Sequence, residues 1–342
     1  MPSMNHIRNS VFFCLILCLF ALLLASCVSA DTKSESSETK PDLDIQLISD
    51  NGFREVYKII ESSKRGYNVS AYLMIPKKVK YSHLFVWPMK SGDSKSIEAF
   101  DKDVLRAVKQ GSGYLDIAEQ LGATTLVPVL PQDEEHEYIR LSYYLNKAGK
   151  YKRLDLQVKA LIEDSFEFLA DKGIELSTIV LAGYSGEAQF CVHFSILHPE
   201  MVAAVAAGGV CCPILPETYA KWEDLPYPIG LKDFRSVSGK KFNFDAWKKI
   251  RFFLTTGRKD DRGINFKSEF KKMNSAWARS FESIWEVFSD EYVRLSPNAQ
   301  MVMYKNLGHE PVHSDELLFL RENEYEFSQI DIKLPATVKT SK

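Results

Sequence analysis

Ser185 lies in a short segment whose residue types could build a nucleophile. The strand-like run TIVLA (residues 178–182) leads into Gly183-Tyr184-Ser185-Gly186-Glu187, and the helix-forming stretch AQFCVHFSILH follows. A strand, a sharp turn carrying serine and then a helix form the context of a nucleophile elbow, which exposes a hydroxyl above a sheet. The backbone N–H of Gly186 would then point into an oxyanion hole. The alternative interpretation is a serine that only caps a helix.

The fifth position of this segment departs from the usual pattern, G-x-S-x-G. Glu187 stands where a glycine is expected. A longer side chain at that position must turn outward, or the helix must shift slightly. The spacing therefore predicts Ser185 as the nucleophile and puts the efficiency of the elbow in question.

A serine hydroxyl needs an imidazole to take its proton. When the order along the chain is serine, acid, histidine, the candidates are His309 and His313. We favour His309, because it lies in the loop NLGHE directly after the last apolar run, where Gly308 gives the loop freedom to turn; His313 lies further on, in a predicted helix. Of the others, His6 lies in the leader and His83 and His136 precede the serine. The remaining two, His193 and His198, lie on the helix directly after the serine. The last two are predicted to point away from the elbow, as packed or partly exposed surface.

The acid is predicted in the loop TGRKDDR, which follows the strand Phe252 to Thr255. One carboxylate must accept the Nδ1 proton of His309 and so select its tautomer. We favour Asp260, and Asp261 is the alternative. The unused carboxylate would be solvated or paired with a neighbouring arginine.

A second oxyanion donor is expected in the loop WPMKSGD, which follows the strand Leu84 to Trp87. Pro88 has no N–H to donate. The candidates are therefore the amides of Met89, which we favour, and of Lys90.

Alternating strands and helices must position these residues. A helical pattern covers Leu154 to Leu169, where apolar residues recur at helical spacing. Such alternation indicates an α/β fold in which a mainly parallel sheet lies between layers of helices. The apolar runs predict strands at 71–75, 84–87, 124–129, 178–182, 202–207, 252–255 and 300–304.

Two connections are too long for plain loops and are rich in aromatic residues, 213–250 and 262–298. Insertions of this length often shape a substrate site. The alternative is that the aromatic side chains only pack the insertions against the body.

The N-terminus has the pattern of an export signal. The apolar run from Val11 to Leu24 has the length of a signal-peptide core, and Leu24-Ala25-Ser26-Cys27 has the pattern of a bacterial lipobox. Residues 1–27 are thus predicted to be a signal peptide, with lipidation of Cys27 tethering the exported chain to a membrane. The alternatives are cleavage after Ala30, which would give a soluble secreted or periplasmic protein, and an uncleaved anchor.

The predicted organisation continues with a flexible tether over residues 28–42, which are polar and rich in serine. A catalytic domain over 43–330 and a C-terminal extension over 331–342 complete it.

The charge balance and the cysteine spacing limit the kinds of ligand that this protein is expected to bind. The 342 residues carry 43 Lys+Arg against 45 Asp+Glu, a formal net charge of −2, which argues against a dedicated nucleic-acid binder. The body cysteines, Cys191, Cys211 and Cys212, fit no familiar zinc spacing. We expect no cofactor and no metal.

Seven segments together give the chain a resemblance to members of the α/β-hydrolase superfamily, over about Asn68 to Asp315. They are closest to bacterial exported esterases of the polyhydroxybutyrate-depolymerase-like and dienelactone-hydrolase-like kind. The segments that carry the resemblance are YNVSAYLMIPK, TTLVPVLPQ, RLDLQ, GYSGEAQF, LPYPIGLKDF, TGRKDD and NLGHE.

The resemblance implies an α/β-hydrolase sheet with insertions after its sixth and seventh strands. It also implies hydrolysis of a small-molecule or polymeric carboxylic ester through an acyl-serine, carried by Ser185, Asp260 and His309. Two other functions stay open: a peptidase or acyltransferase with the same three residues, and a catalytically impaired lipoprotein that only binds a ligand. Glu187 and the unusual PMKSGD loop favour the latter.

Overall fold

The computed structural model describes residues 42–89, 96–130, 145, 148–210, 213–217, 219–220, 223–260 and 280–327. All of them belong to one unit, Asp42–Lys342. The interpretations of Cys27, Lys90, Asp261 and the Cys211-Cys212 pair, and those of residues 1–41 and 328–342, concern positions outside this description and stay predictions.

One sheet of nine strands forms the centre of the described chain, in the order β1-β2-β3-β5-β4-β6-β7-β10-β11. Its strands are β1 (Ile45–Asp50), β2 (Arg54–Ile59), β3 (Ala71–Pro76), β4 (Leu84–Val86), β5 (Thr125–Pro128), β6 (Ile179–Tyr184), β7 (Val202–Gly208), β10 (Arg251–Gly257) and β11 (Ala299–Tyr304). A separate two-stranded ribbon pairs β8 (Tyr219–Ala220) with β9 (Glu223–Asp224).

The pairing of the strands divides the sheet into two parts. From β5 to β11 all neighbouring strands are parallel, whereas β1, β2, β3 and β5 pair antiparallel. Without β1, the strands number 1-2-4-3-5-6-7-8 across the sheet, with only the second one reversed. This is the α/β-hydrolase fold, so the predicted fold class is confirmed.

Helices cover both faces of the sheet, which explains why its central strands are apolar along their whole length. The helices are α1 (Ile97–Gln110), α2 (Tyr114–Leu121), α3 (Leu154–Asp171), α4 (Gly186–Leu197), α5 (Phe234–Ser238), α6 (Phe244–Trp247), α7 (Phe281–Leu295) and α8 (His313–Phe327). One core cluster joins the sheet to α3, α4 and α7, and the other joins it to α1, α2 and α8.

The helix α4 is unusual because it is buried almost all round. Every residue from Ala188 to Leu197 is buried, as its nearly continuous apolar sequence requires. Such a helix is held from all sides, which fixes the position of its first residue, Gly186.

Each predicted strand is present, with ends that differ by a few residues, and the predicted helix extends to Asp171. The hairpin β1–β2 was not predicted, because its strands are half-exposed and alternate weakly. The first insertion carries β8, β9, α5 and α6, and the described part of the second carries α7.

Candidate active site

Ser185 forms the turn between β6 and α4. Its backbone has φ 59° and ψ −117°, a conformation that residues other than glycine rarely adopt. Its amide donates to the carbonyl of Gly208 on the neighbouring strand β7, at 2.8 Å. The turn is therefore strained and held in place, as expected of an elbow that projects its side chain above the sheet.

Gly183 lets the helix approach the strand at this turn. A Cβ atom at Gly183 would lie 2.7 Å from Cβ of Glu187 and 3.0 Å from its backbone carbon. No side chain fits there without moving the first turn of α4. Glycine at position 183 therefore allows the helix to approach the strand closely at the elbow.

Three predicted residues form one hydrogen-bonded chain. Nε2 of His309 lies 2.9 Å from Oγ of Ser185, and Nδ1 of His309 lies 2.6 Å from Oδ2 of Asp260. With the Nδ1 proton donated to the carboxylate, Nε2 is free to accept the hydroxyl proton. The side chain of Asp260 is 3% exposed and that of His309 is 14% exposed, so the acid is buried while the base borders on solvent.

The loops that carry the acid and the base are fastened to each other through their backbones. The amide of Lys259 donates to the carbonyl of Leu307 at 2.9 Å. A Cβ atom at Gly257 would lie 2.1 Å from the carbonyl oxygen of Gly308, so only glycine allows this approach. The ring of Tyr184 also lies beside that of His309, with centroids 4.9 Å apart.

Gly186, the predicted oxyanion donor, is the first residue of α4. It follows Ser185 at the N-terminus of α4, where amides lack acceptors within the helix and the helix dipole favours negative charge. The amide of Met89, by contrast, donates to the carbonyl of Trp87 at 2.8 Å. Its predicted role would need that turn to open, and it stays a prediction.

Glu187 is accommodated in a way that the sequence did not suggest. Its Oε2 accepts from the indole Nε1 of Trp87 at 2.8 Å and from the amide of Tyr184 at 3.3 Å. The side chain is half-buried. It thus joins the elbow to the residue that follows β4.

A second histidine next to the site takes part in another network. Nδ1 of His313 lies 3.1 Å from Oε2 of Glu316, and Oε1 of Glu316 accepts from the hydroxyl of Tyr114 at 2.9 Å. Burial raises the pKa of Glu316, and the hydrogen bond to Glu316 raises the pKa of His313. The sequence held no signal for this network, because Tyr114 and Glu316 are 202 positions apart.

The interpretation of His193 and His198 as surface residues was wrong, because both are buried. His193 Nδ1 lies 2.7 Å from the hydroxyl of Tyr227, and His198 Nε2 lies 3.0 Å from Oδ2 of Asp155. The first insertion, which supplies Tyr227 and Lys240, covers this part of α4.

No group of three or more potential metal ligands is found in the part of the chain that the structure describes. Within the same residues, no helix combines the length and apolar character needed to cross a membrane.

No family model matches this chain, and no curated protein matches it significantly. It is similar in structure to a poly(3-hydroxybutyrate) depolymerase from Bordetella parapertussis (12% identity, TM-score 0.44, covering 83% of this chain and 91% of the other). It is also similar to an S-formylglutathione hydrolase from Agrobacterium tumefaciens (12%, 0.43, 83% and 99%) and to acetyl xylan esterase 1 from Thermoanaerobacterium (15%, 0.39, 82% and 88%). These similarities concern shape alone.

Proposed function

We propose that this protein is a serine hydrolase that cleaves carboxylic esters through an acyl-serine intermediate. The observation that carries the proposal is the continuous chain of hydrogen bonds from Ser185 through His309 to Asp260, with distances of 2.9 and 2.6 Å. Nucleophile, base and orienting acid each follow a different parallel strand. This is the arrangement that nucleophilic acyl transfer requires.

The first half of the reaction forms the acyl-enzyme. Nε2 of His309 takes the proton of Ser185 as Oγ bonds to the ester carbon, and the carbonyl oxygen becomes an oxyanion that accepts from the amide of Gly186. Asp260 stabilises the imidazolium through Nδ1. When the tetrahedral intermediate collapses, the ester C–O bond breaks and the alcohol leaves with the proton held by His309.

The second half returns the enzyme to its starting state. His309 takes a proton from water, the hydroxide oxygen attacks the acyl carbon, and the carboxylic acid departs as Oγ of Ser185 recovers its proton. These steps use only groups of the protein and water.

An impaired binding protein is the second candidate, because one observation favours it. The amide of Met89, which we favour as the second oxyanion donor, is bonded to the carbonyl of Trp87 and could not reach an oxyanion without breaking that bond. Loss of one such donor costs about 10²–10³-fold in turnover.

Labelling of the nucleophile separates the two. The purified protein is treated with a fluorophosphonate and the adduct is mapped by mass spectrometry. We expect an adduct on Ser185 that disappears in His309→Ala and persists in the matched control His313→Ala. A folded protein with no adduct would overturn the hydrolase proposal and favour the binding protein.

Substrates then define the class of hydrolase. We expect turnover of p-nitrophenyl esters and none of matched peptide anilides. Faster cleavage of the anilides would make the protein a peptidase, and acyl transfer to added alcohol in preference to water would make it an acyltransferase.

The site of action is proposed from the sequence alone. We propose that the chain is exported and anchored through lipid on Cys27, and that it acts on ester substrates outside the cytoplasm. Incorporation of labelled palmitate that is lost in Cys27→Ser would support this. Release of an unlipidated protein that begins at Asp31 would contradict it.

A further inference from the structure

Glu187 connects two strand ends that the proposed reaction uses. Its Oε2 accepts from the Trp87 indole at 2.8 Å and from the Tyr184 amide at 3.3 Å. Trp87 directly follows β4, and Tyr184 is the last residue of β6, its parallel neighbour in the sheet. One carboxylate oxygen therefore ties the loop that begins at Trp87 to the elbow.

The position of this carboxylate is closely determined. Glu187 lies in the first turn of α4, where the helix dipole favours a negative charge. The Cβ atom of Glu187 lies where Gly183 leaves room. Trp87 is 6% exposed, and its ring packs near that of Tyr114, with the ring centroids 6.1 Å apart. The indole is thus held by packing, and its N–H by the carboxylate.

The loop beyond Trp87 carries the amide that is predicted to be the second oxyanion donor, that of Met89. The amide of Met89 is now bonded to the carbonyl of Trp87 at 2.8 Å. The amide becomes available to a ligand only if the turn from Trp87 to Met89 opens, and the contact with Glu187 holds the first residue of that turn in place. A donor helps only when it lies close to the oxygen at the moment when charge develops.

We infer that Glu187 is a positioning residue, which holds Trp87 so that the loop from Trp87 to Met89 can present its amide to the oxyanion. The inference rests on the proposed function. It gives a purpose to the residue at which the elbow departs from G-x-S-x-G. Because oxyanion contacts are made in the transition state, loss of the anchor should lower kcat and leave KM nearly unchanged.

Four variants test the inference with a p-nitrophenyl ester as substrate. Glu187→Ala and Trp87→Phe should each lower kcat about 10–100-fold, a range below the loss of a whole donor, while KM changes by less than about threefold. Glu187→Gln keeps an oxygen acceptor and should retain most of kcat. The double variant Glu187→Ala/Trp87→Phe should be no slower than the slower single variant, because both changes break one contact.

The matched control is Glu163→Ala, which removes an exposed glutamate of α3 that pairs with Lys159. It should leave kcat unchanged. The deciding variant is Glu187→Gly, which restores the usual motif. Wild-type or faster turnover in Glu187→Gly would overturn the inference, as would additive losses in the double variant.

A structural measurement keeps this inference separate from the proposed function. In ¹⁵N-tryptophan NMR, the indole N–H of Trp87 should exchange slowly in the wild type and in Glu187→Gln, and at least about tenfold faster in Glu187→Ala. If the wild type is inactive and its indole N–H is protected, the hydrolase proposal is rejected, while the contact between Trp87 and Glu187 is confirmed. An active wild type in which Glu187→Ala changes neither exchange nor kcat would reject the positioning role alone.

Discussion

Two histidine–aspartate pairs at the two ends of α4 have nearly the same contact and different environments. At its N-terminus, His309 Nδ1 lies 2.6 Å from Asp260, and at its C-terminus, His198 Nε2 lies 3.0 Å from Asp155. A helix of 12 residues, about 18 Å long, lies between them.

The third partner and the exposure of the histidine decide what each pair can do. His309 turns its second nitrogen to the hydroxyl of Ser185 and is 14% exposed. His198 is 1% exposed, and its second nitrogen lies 3.3 Å from the ammonium of Lys240. An imidazole that borders on solvent beside a hydroxyl can pass a proton to a substrate. An imidazole enclosed among charged side chains can only connect the segments that carry those side chains.

Strained backbone occurs at both places. Ser185 and Arg153 are the two residues other than glycine with positive φ in the described chain, at 59° and 46°. Arg153 forms a bidentate pair with Asp155 and donates to the carbonyl of Ser238. Strain alone therefore does not identify an active site, because it also occurs where an insertion is fastened to the body.

Removal of the base should produce the largest difference between the two pairs. We expect His309→Ala to lower kcat/KM by at least about 10⁴-fold, because Ser185 loses its proton acceptor. The midpoint of thermal unfolding should fall by only a few degrees, since the imidazole borders on solvent and only one contact of Asp260 is lost. Ester hydrolysis and calorimetry measure both. More than a tenth of wild-type activity in His309→Ala would contradict the proposed mechanism.

The opposite result is expected at the buried pair. Asp155→Ala should lower the free energy of unfolding by about 3 kcal/mol, because it leaves the guanidinium of Arg153 without its carboxylate in a largely buried place. The kcat of the folded protein should stay at the wild-type value. Denaturant titration gives the energy, and Asp245→Ala, at an exposed carboxylate of α6, is the control. A loss of kcat with unchanged stability would show that this pair serves the reaction.

The free energy of unfolding should depend on pH through His193, which contacts Tyr227 of the first insertion. Burial lowers the pKa of His193 to about 3. Between about pH 6.5 and pH 3 the unfolded chain binds a proton there that the folded chain does not, so stability falls as the pH falls. The free energy of unfolding should lose about 1.4 kcal/mol per pH unit from this group.

His193→Asn isolates that contribution. Its slope of unfolding free energy against pH should be flatter than the wild-type slope by about 1.4 kcal/mol per pH unit in the same window. Parallel slopes would mean that His193 takes up its proton in the folded state.

The smallest expected effect concerns strain at the elbow. Ser185→Gly should be more stable than Ser185→Ala by about 1 kcal/mol, because glycine tolerates the positive φ and this gain exceeds its extra chain entropy. Both variants should be inactive, so stability alone is compared by denaturant titration. A less stable glycine variant would show that the turn holds no strain.

The sequence predicted the parts of this protein that depend on local pattern. Apolar runs such as TIVLA form strands because they are buried on both faces, and the run of Leu154 to Leu169 forms a helix because its apolar spacing matches a helical turn. The order of Ser185, Asp260 and His309 along the chain also reflects the order of the strands. The structure brings these three side chains together, and their catalytic roles stay predictions for the labelling experiment.

What the sequence could not predict depends on contacts between distant positions. Glu187 and Trp87 are 100 positions apart, and His198 and Asp155 are 43 apart. No local pattern shows that a glutamate will face an indole or that a histidine will be enclosed by an insertion. Such contacts exist only when the sheet and helices have packed.

By itself, then, the amino-acid sequence determined seven strands of the sheet, the helix that begins at Leu154 and the chemical types available at the ends of the strands, since short-range periodicity and residue chemistry decide these. The tertiary structure alone decided that His198 is enclosed among charges. It also decided that the glutamate after the nucleophile binds the loop across the sheet. The physical reason is that exposure and the identity of a third partner are properties of packing, and two pairs of the same residue types differ in both.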